Sequence, residues 1–412
     1  MRVLIIASSK FPVPAVKGGA VPNLIEELIR ENENHDSLDL YCCSLFDKDA
    51  EAEAKKYSKT TFVWAKVPTV IKILDKVFYL LLSKLFCIKR LHSLSFLFQV
   101  IWFSIFTGKV LRKNDYDRVI FENSVPMLFA LKLYGNKKKY ADKYYIHMHS
   151  VPRRYYGNAK IFEDSRIIIT VSQYVAEEIS KDLRLDMSSE KFLVMQNCID
   201  TNSIKPVQQD DKLRIELGIN CKSKIVLFVG RLCKEKGIEE LLNAIMLLNR
   251  KDVELLVVGA NFYKSDIVSP YEEYLKNLTE KIKEHIHFSG YVNYSDIAGV
   301  YAIADVVVLP SMWDEPAGMT VIEAMACKKP VITTISGGIP EYTGNGNCIL
   351  LDRSNSIVES LAKSINELLD DGERAEALAL AASLHAMQFN QARYYDQFWE
   401  ILSKGGTKCQ NT

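Results

Sequence analysis

The chain has 412 residues, longer than single hydrophobic cores usually grow, so two domains are the starting expectation. Hydrophobic residues make up 48% and charged residues 25%, the balance of an ordinary folded protein, which excludes disordered and collagen-like classes. A net charge of +1 gives no global case for a nucleic-acid partner, and nine scattered cysteines without C-x-x-C or metal-ligand spacing read as reduced cytosolic thiols.

The first apolar run, in MRVLIIASSKFPVP, is too short for a secretory segment with a cleavage site and reads as a first strand. Gly18 and Gly19 follow it in KGGA, without the G-x-G-x-x-G spacing of a nicotinamide or flavin site. Between Lys66 and Lys113 stand nine Lys/Arg and one acid, Asp75, while the remainder of the chain holds 43 basic and 50 acidic residues. With Phe78, Tyr79, Leu80 to Leu82, Leu85 and Phe86 interleaved, this stretch has two readings. It is a basic-aromatic helix lying on an anionic bilayer, or a helix with one solvated face. Inside it, Leu91–Gly108 lacks formal charge for 18 residues, but His92, Ser93, Ser95, Gln99, Ser104 and Thr107 interrupt it, which predicts a buried core helix rather than a membrane span.

Short β-branched runs then alternate with amphipathic stretches. DRVIFEN, KYYIHMHS, RIIITVS with QYVAEEISKDL, and KFLVMQN form one series. KIVLFVG with IEELLNAIMLLNR, VELLVVG, HIHFSG, VVVLP and PVITT form a second. This alternation predicts an α/β protein with two doubly wound, Rossmann-like domains, whose facing C-terminal strand ends make a ligand cleft. The polar stretch DTNSIKPVQQDDK separates the two series, so the expected domains are 1–204 and 205–387. A tail helix over 388–404 carries Phe389, Tyr394, Tyr395, Phe398, Trp399 and Ile401 at broadly helical spacing and is expected to cross back onto the first domain.

Several polar residues fall at strand ends. Asn123 closes DRVIFEN. His147 and His149 share one face of KYYIHMHS, since alternate strand residues point the same way, and Arg153 follows them. Arg231 and Lys236 lie between a strand and a helix, where two cations would neutralise a diphosphate. No Asp-x-Asp stands beside a strand end to suggest a divalent-ion site. In WDEPAGMTVIEAMACKKPVI, Glu315 and Glu323 are an acid/base pair or two anchors on one ligand. Pro316 predicts a helix from just after Glu315 to about Lys328, with Glu323 inside it. The carboxylates would then lie about 12 Å apart along the axis, beyond the roughly 5–10 Å of hydrolase pairs, which favours two anchors. Between them, the amides of Gly318, Met319 and Thr320 at a helix start suit a phosphate, although the same pattern also marks an ordinary capped helix.

This stretch resembles the E-x7-E motif of retaining GT-B glycosyltransferases of family 4, glycosyl transferases group 1. FVGRLCKEKGIEELLNAI resembles the family's G-R-x-x-x-x-K-G segment, and KGGA its first glycine loop. HIHFSGYV, SGGIPEY, ITVSQYVAEEI and QNCIDTNSIKP are similar to further segments, with Cys198 at a turn where Gly is usual. The resemblance implies a GT-B fold and retaining transfer from a nucleoside diphosphate sugar, with UDP favoured, needing no metal or other cofactor. It gives His149 the contact with the transferred sugar, Glu315 the sugar hydroxyls and Glu323 the ribose. Arg231 and Lys236 take the departing diphosphate. Gly18, Gly19, Gly318, Met319 and Thr320 face the phosphates, Val292 the base and Asn123 the acceptor, while Arg153, beside His149, faces either the acceptor or water. The implied acceptor is a saccharide or lipid-linked saccharide of cell-surface polysaccharide or glycolipid biosynthesis. The site of action would be cytoplasmic, at the membrane's inner face through 66–113, with no nucleic acid. The runner-up readings are a catalytically silent nucleotide-sugar-binding partner of a membrane complex and a nucleotide-sugar epimerase.

Overall fold

A computed structural model describes residues 1–85, 96–187, 190–259 and 270–404. The chain forms two compact units, Met1–Met195 joined by the chain's end from Tyr394, and Gln196–Arg393.

The first unit is built on β1 (Arg2–Ile6), β2 (Asp39–Leu45), β3 (Thr60–Ala65), β4 (Arg118–Glu122), β5 (Tyr144–Met148), β6 (Ile167–Thr170) and β7 (Phe192–Val194). They lie in the order β3-β2-β1-β4-β5-β6-β7, and every pairing is parallel. The second unit has β8 (Lys224–Val229), β9 (Val253–Val258), β10 (Ile286–Gly290), β11 (Val306–Leu309), β12 (Val331–Thr334) and β13 (Ile349–Leu351), ordered β10-β9-β8-β11-β12-β13, again parallel. Both sheets are doubly wound and Rossmann-like. Their strand order reverses beside the first strand of each, between β1 and β4 and between β8 and β11, where such sheets take ligands.

The apolar runs dictate this arrangement. All of β9, VELLVV, is buried, as a parallel strand covered on both faces requires. The Ile238–Leu248 helix buries Ile238, Leu241, Leu242 and Ile245, the one-sided stripe that seats a helix on a sheet.

The division between the units falls after Met195 rather than after Ile204. The Asn197 amide donates to the Tyr342 hydroxyl at 2.9 Å and the Ile199 amide to the Phe389 carbonyl at 2.9 Å, which ties the polar stretch to the second unit. Phe389 likewise stays there, its ring 5.3 Å from that of Tyr342. From Tyr394 the Gln391–Lys404 helix lies on the first unit. Tyr395 donates to Asn32 Oδ1 at 2.8 Å and stacks on His35, and Arg118 Nε donates to the Leu402 carbonyl at 3.2 Å. Trp399 falls outside that buried stripe and is exposed.

The basic stretch folds as two helices, Thr69–Leu85 and Leu97–Lys113, and its residues 86–95 lie outside the described residues. Asp75 is buried, its carboxylate accepting the Phe98 and Gln99 amides at 2.8 and 3.0 Å, at the start of the second helix. Val70, Ile73, Leu74, Val77, Leu80 and Leu81 are exposed on the first helix. Among the described residues no helix is long and apolar enough to cross a membrane.

Candidate active site

In the second unit, the chain leaving β8 turns through Lys234–Lys236 and Gly237 into the Ile238–Leu248 helix. Gly237 has φ +68°, and a Cβ there would lie 1.8 Å from the Pro310 carbonyl oxygen, so only glycine lets this loop press against the chain leaving β11. The Glu235 carbonyl accepts the Met312 amide at 2.8 Å and the Ser311 hydroxyl at 3.1 Å, which pins the two loops together. This contact delivers Lys236 to Glu315. Lys236 Nζ lies 2.6 Å from Glu315 Oε1, and Ser311 Oγ donates to the same oxygen at 2.7 Å. Lys236, Ser311, Glu315, Gly318 and Thr320 line one cavity, floored by Phe228 and Val229 of β8 and Leu309 of β11. It therefore opens at the switch point of this sheet.

The helix bearing Glu323 spans Met319–Ala326, so it does not begin at Pro316. Gly318 precedes it with φ +85°, outside the right-handed helical region. A second glycine turn holds the preceding backbone away from a helix. The Gly338 amide donates to the Glu315 carbonyl at 2.7 Å, and a Cβ on Gly337 would lie 2.4 Å from that oxygen. The axial separation of about 12 Å, which assumed continuous helix from Glu315 to Glu323, does not apply. What remains is a helix start without a side-chain cap, where the amides of Met319 and Thr320 have no helical acceptor.

Glu323 is buried on the helix, with the Tyr301 hydroxyl donating to its Oε2 at 3.2 Å. Burial pushes its carboxyl up to about 7, against the opposing pull of that hydrogen bond. It is not among the residues lining the Lys236 cavity. Val292, past the end of β10, lines a separate cavity with Tyr291, Asn293 and Asp296. Arg231 is exposed on the loop that carries Lys236 and makes no side-chain hydrogen bond or ion pair among the described residues.

In the first unit, Gly18 and Gly19, at φ +68° and +107°, lead into the Ala20–Asn32 helix. Asn123, at φ +43°, links the ends of β4 and β5. Its amide donates to the His147 carbonyl at 2.8 Å, and its Oδ1 accepts the His149 amide at 3.0 Å. Arg153 is exposed on the following loop. His147 and His149 converge on Glu122, with His147 Nδ1 at 3.1 Å and His149 Nε2 at 3.0 Å from its Oε2. Burial alone would raise the Glu122 carboxyl, but the two imidazoles hold it down at about 2. The donor atoms of these three residues lie within 4.8 Å of one another, a composition that suits a metal. Here the facing nitrogens and the carboxylate are already hydrogen-bonded to each other. A further cavity in this unit is lined by Lys10, Lys17, Lys66 and Lys72, and its one acid, Asp47, is ion-paired to Lys17.

Ser311, Tyr301 and Glu122 are the polar partners that motif reading misses. Ser311 ends the run VVVLPS, the same kind of strand-end position that singled out Asn123. Glu122 was open to a register argument, since it stands opposite His147 in the β4–β5 pairing.

Residues 209–384 match the family described as glycosyl transferases group 1. Spore coat protein SA of Bacillus subtilis is 28% identical over 391 residues, covering 92% of each chain. A GDP-mannose-dependent monoacylated alpha-(1-6)-phosphatidylinositol monomannoside mannosyltransferase of Corynebacterium glutamicum is 26% identical, over 72% of this chain and 77% of its own. Among solved structures, Anabaena HepE in complex with UDP-glucose superposes with a TM-score of 0.71 at 19% identity, covering 98% of this chain and 100% of that one. Two parallel Rossmann-like sheets and the likeness to solved structures along nearly the whole chain show a GT-B fold, and the unit that holds the Lys236–Glu315 pair matches the glycosyl transferases group 1 model.

Proposed function

We propose that the protein moves a sugar from a nucleoside diphosphate sugar, a UDP-sugar in first place, to an acceptor hydroxyl with retention of anomeric configuration and without a metal ion. The observation that carries this reading is the Lys236–Glu315 ion pair beside an uncapped helix start at the β8/β11 switch point. Lys236, Arg231 and the amides of Met319 and Thr320 stabilise charge developing on the diphosphate as its bond to the sugar's anomeric carbon breaks. The acceptor oxygen bonds to that carbon from the same face, and its proton passes to the leaving phosphate oxygen. Glu315 holds sugar hydroxyls and Glu323 the ribose. From the first unit, His149 is assigned the transferred sugar, Gly18 and Gly19 the diphosphate, and Asn123 and Arg153 the acceptor.

The HepE structure contains UDP-glucose and the corynebacterial relative is named for GDP-mannose, so the base is decided by a screen. Thermal shift across UDP-, GDP- and ADP-sugars should single out one cognate donor. With that donor, Lys236→Ala should lower kcat on the order of 100-fold. A wild-type rate in Lys236→Ala, or activity lost to a chelator and restored by magnesium, would overturn the reading.

The acceptor in this proposal is a saccharide carried on a lipid, met at the cytoplasmic face of an anionic membrane. Supporting it are the four-lysine cavity and the exposed apolar residues of the Thr69–Leu85 helix, which sit in the same unit. Anionic vesicles should sediment the protein at low salt and release it at high salt. Equal sedimentation with neutral vesicles would remove the electrostatic part.

A further inference from the structure

We propose that Ser311 is a positioning residue for the transfer. Its hydroxyl keeps the Glu315 carboxylate in place when the diphosphate draws Lys236 away, and so leaves one carboxylate oxygen to accept hydroxyls of the sugar. The proposal rests on the assignment of Glu315 to the sugar and of Lys236 to the diphosphate.

Two donors meet one oxygen of Glu315. Lys236 Nζ stands 2.6 Å from Oε1 and Ser311 Oγ 2.7 Å from it, while Oε2 has no hydrogen-bond partner among the described residues. Both partners matter because Glu315 is buried. If Lys236 were the only one, its departure to a diphosphate would strand an uncompensated charge, and the carboxylate would follow its cation or take up a proton. A carboxylate still held at Oε1 is an acceptor only, and it presents Oε2 to hydroxyl donors.

The two donors differ in what fixes them. Lys236 reaches Oε1 on a flexible four-carbon stem and lines the cavity it shares with Gly318 and Thr320 at the helix start. Ser311 has no such freedom. Its carbonyl accepts the Thr334 and Ser336 hydroxyls at 2.6 and 2.9 Å, and its amide donates to the Leu309 carbonyl at 2.9 Å. Its hydroxyl has one proton and two acceptors in reach, Glu315 Oε1 at 2.7 Å and the Glu235 carbonyl at 3.1 Å. That carbonyl also has the Met312 amide at 2.8 Å, and a hydrogen bond to a carboxylate is the stronger kind, so the larger share of the proton goes to Glu315. The Glu315 carbonyl is held in turn by the Gly338 amide, which leaves only the side chain of Glu315 to move. Loss of the Ser311 hydroxyl would therefore free the carboxylate without parting the loops, which the Met312 amide and the Gly237–Pro310 contact still join.

The test is calorimetry and steady-state kinetics on the full chain with UDP and UDP-glucose, or with the nucleotide and donor that the thermal-shift screen selects. Ser311→Ala should lower donor affinity and kcat/KM on the order of 10- to 100-fold, the worth of one charge-assisted hydrogen bond, and leave the affinity for UDP within about 2-fold. In a Glu315→Ala background the same change should cost less than about 2-fold, read by donor affinity as well as rate, because no carboxylate is left to hold. Equal losses for UDP and the donor, or the same loss in both backgrounds, mean that the serine only packs the loops, and either overturns the proposal. So does a Ser311→Ala protein of wild-type affinity and rate beside an impaired Glu315→Ala, an outcome that leaves Glu315 on the sugar. An unimpaired Glu315→Ala removes that assignment and the proposal with it. Ser311→Cys, which keeps the bulk but offers only a weak donor, supplies the same comparison if Ser311→Ala does not fold.

Discussion

Glu122 in the first unit and Glu323 in the second are both buried, yet their environments move them in opposite directions, Glu122 to about 2 and Glu323 to about 7. Desolvation is the largest influence on each and would raise either one. The difference lies in the partners: two imidazoles for Glu122, one neutral tyrosine hydroxyl for Glu323. Two helix starts repeat the contrast. The Leu97–Lys113 helix of the first unit has its opening amides taken by the Asp75 carboxylate, while the Met319–Ala326 helix of the second has no side-chain cap. The first unit thus satisfies its buried charges internally. The second gives Glu323 one neutral hydroxyl and leaves a helix start without a side-chain cap, which is what the proposed ribose and diphosphate contacts require.

The largest effect that can break this comparison is the pH dependence of stability. Glu323 has a folded pKa above its unfolded value near 4.5, so its contribution is full below pH 4.5 and lost as pH rises toward 7. Glu122 is depressed, so its contribution is full above pH 4.5 and lost as pH falls toward 2. Each shift corresponds to roughly 3 kcal/mol. Denaturant titrations should show wild type losing stability relative to Glu323→Gln between pH 4.5 and 7, and relative to Glu122→Gln between pH 4.5 and 2. Slopes of the same sign against pH in the two windows would end the contrast. Saturating donor should also flatten the Glu323 window, since hydroxyls donating to the carboxylate favour its charged form.

A smaller effect sharpens the comparison at the uncapped helix. At Gly318, φ is +85° and an added Cβ would lie 3.0 Å from Ile339 Cγ1. Gly318→Ala should therefore cost on the order of 1–3 kcal/mol of stability in the second unit. It should also raise donor KM, because the Met319 and Thr320 amides would tilt away from the phosphates. Unchanged donor affinity in a folded Gly318→Ala protein would separate this helix start from the ligand.

These contrasts mark how far the sequence could be read. The two sheets were legible because β-branched runs such as VELLVV are buried on both faces and alternate with one-sided helices. The pairing of Lys236 with Glu315 depends on Gly237 and Pro310 meeting across the sheet, so the chain shows its members but not their contact. The late start of the Glu323 helix is imposed by Gly337 and Gly338, more than twenty positions beyond Pro316. Local proline grammar at Pro316 carries no trace of it. Motif reading passed over Glu122 for a related reason: an acid at a strand end looks solvated until the register of β4 against β5 is worked out and puts two histidines beside it. The boundary shifted to Met195 because the Ile199 amide meets the Phe389 carbonyl, a pairing of distant segments that low apolar content around Asp200 does not reveal.

The smallest expected effect concerns Asp75, the one acid in the basic stretch and the first unit's counterpart of the missing cap. Its carboxylate accepts two amides at the start of the Leu97–Lys113 helix, so Asp75→Ala should cost about 1 kcal/mol, the usual worth of a lost cap. Phe96 and Gln99 of this region also line the cavity of Lys10, Lys66 and Lys72, so the freed amides lie close to a basic surface open to small anions. Sulfate should then restore part of the loss in Asp75→Ala by occupying the place of the carboxylate, and should stabilise wild type less. Because Asp75 is buried, its removal adds no positive charge to the exposed face, and the salt dependence of vesicle binding should stay as it was. If sulfate stabilised both proteins equally, the carboxylate would not be acting as a resident anion, and the two helix starts would differ in sequence without differing in electrostatic design.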